Sequence, residues 1–272
     1  LGLFSCVREN LIDTIDFPKT EKKIVVIGAI SMGDSIQVRV SKSSGIGELY
    51  NDTENAVNNA NVRLINLTTN ESVELTRWKR NSLYSVSQKN FKIKMAEKYQ
   101  LVINVPNYPT IYSVCQMPTK AAYFESILIH TTKNSKGYNW YPFFTWKDIT
   151  LDRESTGYAI IFKAINGNPV LSGMIRSIQE RDRVNGICTY GDSFFTNRDE
   201  NSGEIYWQTF GLVTYNDVMK KFFQIRDLSE DINHYSILSD FKGIIPEYTN
   251  IQNGLGFFGG YVVTDKTVLI RE

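Results

Sequence analysis

The sequence predicts an all-β protein, mainly two-layer in its first part, with a larger β-rich part behind it that carries one helix. Three observations predict this. Short segments in which apolar and polar residues alternate recur along the chain, the period of a strand buried on one side. Rings are abundant, with 15 Tyr, 15 Phe and 4 Trp in 272 residues. Only one stretch, at about 229–242, combines helical spacing with signals for both a start and a stop.

The elements follow in order. Residues 7–22 lack sustained periodicity and end in charge and a proline, so they read as a tether. Fully extended it reaches up to about 50 Å at ~3.4 Å per residue. The run Ile24-Val25-Val26-Ile27-Gly28-Ala29-Ile30 is a continuous apolar strand, and Ser31-Met32-Gly33-Asp34 turns it. Ile36, Val38 and Val40 then alternate with Gln37, Arg39 and Ser41. Further strands are expected at Val62–Leu67, Ser72–Thr76, Leu83–Ser87, Tyr99–Val105 and Ile111–Cys115. Seven short strands with no strong helix between them predict an antiparallel sandwich of immunoglobulin or transthyretin type over residues 23–118. Met117-Pro118-Thr119-Lys120 marks the boundary, and residues 119–272 form the second unit.

In that unit Ala122–Thr131 leads to Tyr138–Trp146, the most aromatic window of the chain. Strands are expected at Gly157–Ile165, Val170–Ile178, Gly186–Tyr190, Ile205–Thr214 and Lys220–Asp227. The expected helix at about 229–242 has Ser229 as its cap and Glu230 and Asp231 at its positive end. Ile232, Tyr235, Leu238 and Phe241 form its apolar face, and Gly243 and Pro246 stop it. A glycine-rich passage over Asn250–Tyr261 precedes a closing strand at Val262–Ile270.

Charge and cysteines narrow the function. A net charge of +1 supplies no electrostatic footprint for nucleic acid or an anionic membrane surface. Leu3-Phe4-Ser5-Cys6 has the form of a bacterial lipoprotein signal's end: leucine three places before the cysteine, a small residue before it, then the thiol. Residues 1–22 are thus expected to comprise a leader remnant, a lipidated Cys6 and the tether. Acyl chains contribute roughly 0.8 kcal/mol per buried CH₂, so two or three hold a protein at a membrane face almost permanently. Cys115 and Cys188 remain, either as a disulfide worth roughly 4 kcal/mol or as two separate buried thiols.

Catalytic constellations find little footing. The two histidines, His130 and His234, accompany no Gly-x-Ser-x-Gly elbow, and they show no zinc-ligand spacing with the cysteines. Asn197, Asp199 and Asn201 recur at every second residue as calcium loops require, but the glycine falls late and Gln208 stands where the bidentate glutamate belongs. Gly254-Leu255-Gly256-Phe257-Phe258-Gly259-Gly260 leads into a strand and lacks the helix start that would hold phosphate. Its glycines are expected to admit close backbone approach or bulges where a sheet bends. No cofactor or metal is expected. The candidate ligand or partner surface is the aromatic window, with Tyr138, Trp140, Tyr141 and Trp146 as its rings. The competing reading buries those rings in the second unit's core. Pro142 interrupts the alternation and tilts part of the window toward a loop.

Several motifs in order carry a resemblance. They are the lipobox cysteine, Ile-Val-Val-Ile-Gly-Ala-Ile, Ser41-Lys42-Ser43, Asn59-Ala60-Asn61-Val62, and Tyr99-Gln100-Leu101 before Pro118. Leu228-Ser229-Glu230-Asp231 with Tyr235, and the run Asn250–Gly260, extend it over nearly the whole chain. Together they resemble an uncharacterised outer-membrane lipoprotein family of Bacteroidota whose genes often neighbour TonB-dependent receptors. The resemblance implies a lipid-anchored protein, exposed at the cell surface, with a TonB-dependent receptor as partner in nutrient capture or uptake. It supplies no catalytic residues, so a non-enzymatic accessory role is the leading expectation. A free-standing surface adhesin or glycan-binding module is the alternative, and the cargo is not named by any residue.

Overall fold

The computed structural model describes residues 21–33, 35–44, 51, 53–78, 82–134, 137–149, 156–163, 175–177, 183–191, 194–196, 205–225 and 249–271. The protein is all-β with one described helix. Its first seven strands are β1 (Ile24–Ser31), β2 (Ile36–Lys42), β3 (Asn61–Asn66), β4 (Ser72–Arg77), β5 (Leu83–Val86), β6 (Lys98–Asn104) and β7 (Ile111–Gln116). Next come β8 (Phe124–Asn134), β9 (Gly137–Lys147), β10 (Thr156–Lys163), β11 (Ile175–Ser177), β12 (Arg183–Val184), β13 (Ile187–Gly191), β14 (Phe194–Thr196) and β15 (Ile205–Asn216). Helix α1 (Asp217–Ile225) and the long strand β16 (Leu255–Arg271) follow.

Eleven strands form one sheet in the order β11-β10-β15-β16-β1-β2-β5-β4-β3-β6-β7. Strand β16 lies parallel to β1 and antiparallel to β15, so strands on both sides of residue 118 share this sheet. The sheet folds over until its far end returns to its middle: Gln252 N donates to Tyr112 O at 2.9 Å, just ahead of β16. Inside the fold lies the first core, built from the inward half of each alternating strand, among them Val26, Val38, Leu64, Tyr84, Tyr99, Leu101, Ile111 and Phe258. Alternation thus did what period-two patterning dictates, placing every second residue in a dry interior.

Helix α1 corrects the expected strand at Lys220–Asp227, because Lys220–Ile225 is helical. The start of the helix explains it. Asn216 Oδ1 accepts from Met219 N at 3.2 Å, capping the first turn, and Asp217 sits at the helix's positive end. Val218 and Met219 then pack with Ile27, Ala29, Val213 and Phe257 in a second core on the other face of the large sheet. The helix expected at about 229–242 lies outside the described residues.

Strands β8, β9, β12, β13 and β14 make the five-stranded second sheet. Its inner face meets β10 and β15 across a third core of Phe124, Phe144, Trp146, Tyr158, Phe162, Cys188 and Phe210. Polar clasps fix the start of β8 to the large sheet. Ala122 N donates to Thr214 Oγ1 at 3.0 Å, and Lys266 Nζ donates to the carbonyls of Phe124 and Glu125 at 3.2 and 2.9 Å.

Candidate functional site

Strand β9 carries the aromatic window and is the central strand of the second sheet. It pairs with β8 along its whole length on one side and with β13 and then β14 on the other. Pro142 therefore does not turn the window into a loop. It falls in the gap between Phe143↔Gly191, where β13 pairing ends, and Trp140↔Phe194, where β14 pairing begins. A proline nitrogen facing such a gap leaves no ladder bond unmade.

Pairing on both sides makes β9 a rigid platform with two faces. Inward, Phe144 meets Phe210 and Phe162 edge-on at ring distances of 5.1 and 6.2 Å, and Trp146 meets Tyr158 edge-on at 5.7 Å. Tyr158 also donates its hydroxyl to Asp148 Oδ1 at 2.7 Å and accepts from Ile149 N at 3.1 Å, pinning the end of β9 to β10. Burial, reinforced by that carboxylate, pushes the Tyr158 phenol well above its ordinary range, so it stays protonated.

Outward, the chemistry changes. Tyr141 is 39% exposed, Phe143 45% and Leu128 65%. Register places Leu128 opposite Phe143, and Phe143 opposite Gly191, so an apolar row crosses three strands. A methyl group added at Gly191 would stand 3.2 Å from Phe143 Cδ2, so the ring leans across that glycine. In the adjacent row Tyr141 lies beside His130, with ring centroids 6.3 Å apart. Ile187, opposite Lys147, continues the exposed apolar surface at the sheet's end. A flat, ring-bearing face on a backbone held from both sides suits partner contact, because little conformational freedom remains to be lost on binding.

The expected site residues divide. Tyr141 lies on this face. Trp146 does not: it is fully buried in the third core, a correction to its place in the expected surface. Tyr138 pairs in register with Lys133 and Thr196, and Trp140 with Thr131 and Phe194, but their side chains lie outside what is described. Cys6 and His234 lie outside the described residues, as does the stretch 197–204 of the calcium-like loop. Cys115 and Cys188 are buried in the first and third cores respectively, and no disulfide joins them. Burial, with Asp217 adding to it, pushes the Cys115 thiol far above its ordinary range. Among the described residues, no three His, Cys, Asp or Glu side chains gather closely enough to hold a metal, and no helix is long and apolar enough to cross a membrane.

Leu128 and Phe143 are the contributions that sequence reading missed. Ile127-Leu128-Ile129 reads as a uniform apolar run, and only its pairing with β9 separates the half-buried isoleucines from the exposed leucine. Away from this face, Trp207 lies 58% exposed opposite Leu269, in line with Thr209 and Thr267. Those threonine hydroxyls are hydrogen-bonded at 2.8 Å, and beyond them Lys163 and Asp265 form an ion pair at 2.8 Å.

Residues 12–267 match the model of a family described as "Domain of unknown function (DUF4249)". No curated protein matches the chain.

Proposed function

The chain belongs to the family described as a domain of unknown function (DUF4249), and on that premise we propose that it is a non-enzymatic surface lipoprotein of the bacterial outer membrane, serving a TonB-dependent receptor as accessory subunit in nutrient capture or uptake. The observation that carries the proposal is the exposed face made by Tyr141 and Phe143 on the doubly paired strand β9, with Leu128 of β8 beside them. Exposed ring clusters rimmed by polar side chains are the usual material of protein contacts, and a few aromatic anchors supply most of the affinity. Cys6 supplies the anchor in this reading, and residues 7–22 the reach. The lipobox and the motif order support the membrane and Bacteroidota assignments.

The test is purification of the native protein in detergent. Co-elution with a large β-barrel is expected, and recovery as a protein without any such companion argues against the assignment. Cys6→Ser should move the protein to the soluble fraction, and retention in membranes would sink the anchor. Tyr141→Ala with Phe143→Ala should weaken receptor binding by about thirty-fold or more, with the melting temperature nearly unchanged. A loss of many degrees instead would make the two rings structural.

A glycan-binding module or free-standing adhesin is the second reading, and Trp207 favours it. An exposed indole beside hydroxyl, ammonium and carboxylate groups offers both a stacking plane and hydrogen bonds for a sugar. Saccharide binding that Trp207→Ala abolishes, with no β-barrel companion in detergent, would favour this reading over the first.

A further inference from the structure

The dipeptide Asn-Gly occurs at two described places, and the fold treats the two differently. Asn185-Gly186 is the whole loop between β12 and β13, with Val184 paired to Ile187 across it. Both loop residues have positive φ, 51° and 76°, as a type I′ hairpin turn requires and as Asn-Gly readily adopts. Asn253-Gly254 leads into β16, and Asn253 has a similar φ of 60°. Sequence and asparagine conformation are therefore shared; the surroundings are not.

Asn185 and Gly186 are exposed, and among the described residues no hydrogen bond holds the Asn185 side chain. A Cβ at Gly186 would meet nothing within 4 Å. The hairpin arm is slight too: β12 has two residues and, among the described strands, pairs with β13 alone. Such an arm opens locally at small cost. Asn253, by contrast, donates its side-chain Nδ2 to Thr110 O at 2.9 Å, and Gln252 before it is held at Tyr112. Gly254 is walled in: a Cβ there would stand 3.0 Å from both Ile24 O and Ile251 Cγ2.

We propose that Asn185 is a site of spontaneous deamidation, through which the β12–β13 turn ages while Asn253 stays intact. Water or hydroxide takes the proton of Gly186 N, and that nitrogen attacks Asn185 Cγ. The N–Cγ bond forms, the Cγ–Nδ2 bond breaks, and ammonia leaves with a proton from water, giving a five-membered succinimide. Water then opens the ring at either carbonyl, to aspartate or isoaspartate. Glycine favours ring closure because no Cβ crowds its nitrogen. The peptide between the two residues must rotate until Gly186 N faces Cγ; an open turn permits that rotation and a packed one resists it. Isoaspartate adds a methylene to the main chain, which a two-residue loop at fixed register cannot absorb. The loosening reaches β9, because Gly186 O accepts from Asp148 N at 2.9 Å and Asp148 Oδ1 holds the Tyr158 hydroxyl. The site is independent of the receptor and the lipid anchor.

Incubation of the folded 272-residue chain at mildly alkaline pH, followed by tandem mass spectrometry of its peptides, tests the proposal. Asn185 should convert many-fold faster than Asn253, with isoaspartate in excess over aspartate. In concentrated urea the two rates should converge, because the dipeptides are the same. Gly186→Ala, whose methyl group has room, should slow conversion at Asn185 several-fold. The aged protein should show faster amide hydrogen exchange at Asp148. Asn185→Asp, which adds the charge without the extra methylene, should not. Asn185 as slow as Asn253 in the folded chain overturns the proposal, and so does a difference that persists in urea. Isoaspartate at Asn185 with Asp148 exchange unchanged overturns its reach to β9.

Discussion

At the scale of single residues, the third core shows how burial and hydrogen bonding pull apart. Trp146 is fully enclosed, yet its indole Nε1 has no hydrogen-bond partner among the described residues. Its contribution is therefore area and shape, not polarity. Trp146→Phe should cost little, because it removes an unsatisfied donor along with some volume, whereas Trp146→Ala should cost about 3–5 kcal/mol. Urea unfolding of both variants measures the contrast; equal losses would mean the indole nitrogen does matter. Glu97 presents the opposite case. Burial alone would raise its carboxyl, but hydrogen bonds from Asn66 Nδ2 at 2.6 Å and Tyr99 hydroxyl at 2.9 Å, with the Lys94 ammonium nearby, hold it below the ordinary carboxylate range. A carboxylate with a lowered folded pKa adds stability that is complete above its unfolded value and is lost as pH falls through the folded one. Glu97→Gln should thus destabilise near neutrality by about 1 kcal/mol. The gap between variant and parent should close as the pH falls below the ordinary carboxylate range. Melting curves across that range decide it, since a gap independent of pH would assign the loss to packing.

Strands and their partners explain what could be read in advance. Strands β2, β3, β6 and β7 were legible because each buries one face, and alternation records that directly in the residues, as in Ile36, Val38 and Val40, whereas β1 was legible as a continuous apolar run because both its faces are buried. Helix α1 was missed because its cap, Asn216, looks like the end of a strand; it is both the last residue of β15 and the acceptor for Met219 N. The aromatic face was half legible. The window Tyr138–Trp146 located the strand, but which rings face solvent depends on β8 and β13 lying on either side, a pairing that no local pattern encodes. The glycine run was read correctly as a site of close approach. Gly256 has φ +105°, and a Cβ there would lie 1.9 Å from Val26 O, so the β1–β16 pairing at Val26↔Gly256 tolerates no side chain. Gly256→Ala should unzip that register and cost several kcal/mol, on the order of the largest single-site losses. Gly33, whose added Cβ would meet nothing within 4 Å, serves as control for the backbone term alone. Similar losses at both positions would remove the steric account.

Across the whole molecule, β16 ties the chain's two ends and its three cores. It lies between β1 and β15 in the large sheet. Phe258 and Val262 enter the first core, Phe257 the second with Tyr261 and Val263 beside it, and Val268 packs against the third. Asn250 strengthens its entry: its side chain donates to Phe258 O and accepts from Phe258 N, both at 2.9 Å, standing in for a strand partner. Cores that share one strand cannot lose it separately, because withdrawing β16 exposes apolar surface in all three and breaks two ladders at once. The parallel pairing with β1 brings together residues over two hundred positions apart, so its closure entropy is recovered only when the intervening structure is formed. The expected outcome is one cooperative unfolding transition for the described strands, with calorimetric and van't Hoff enthalpies in agreement. Amides of β16 and β1 should be among the slowest to exchange, at the free energy of global unfolding. Two resolved transitions, with β1–β7 melting apart from β8–β15, would show that the shared strand does not couple the cores.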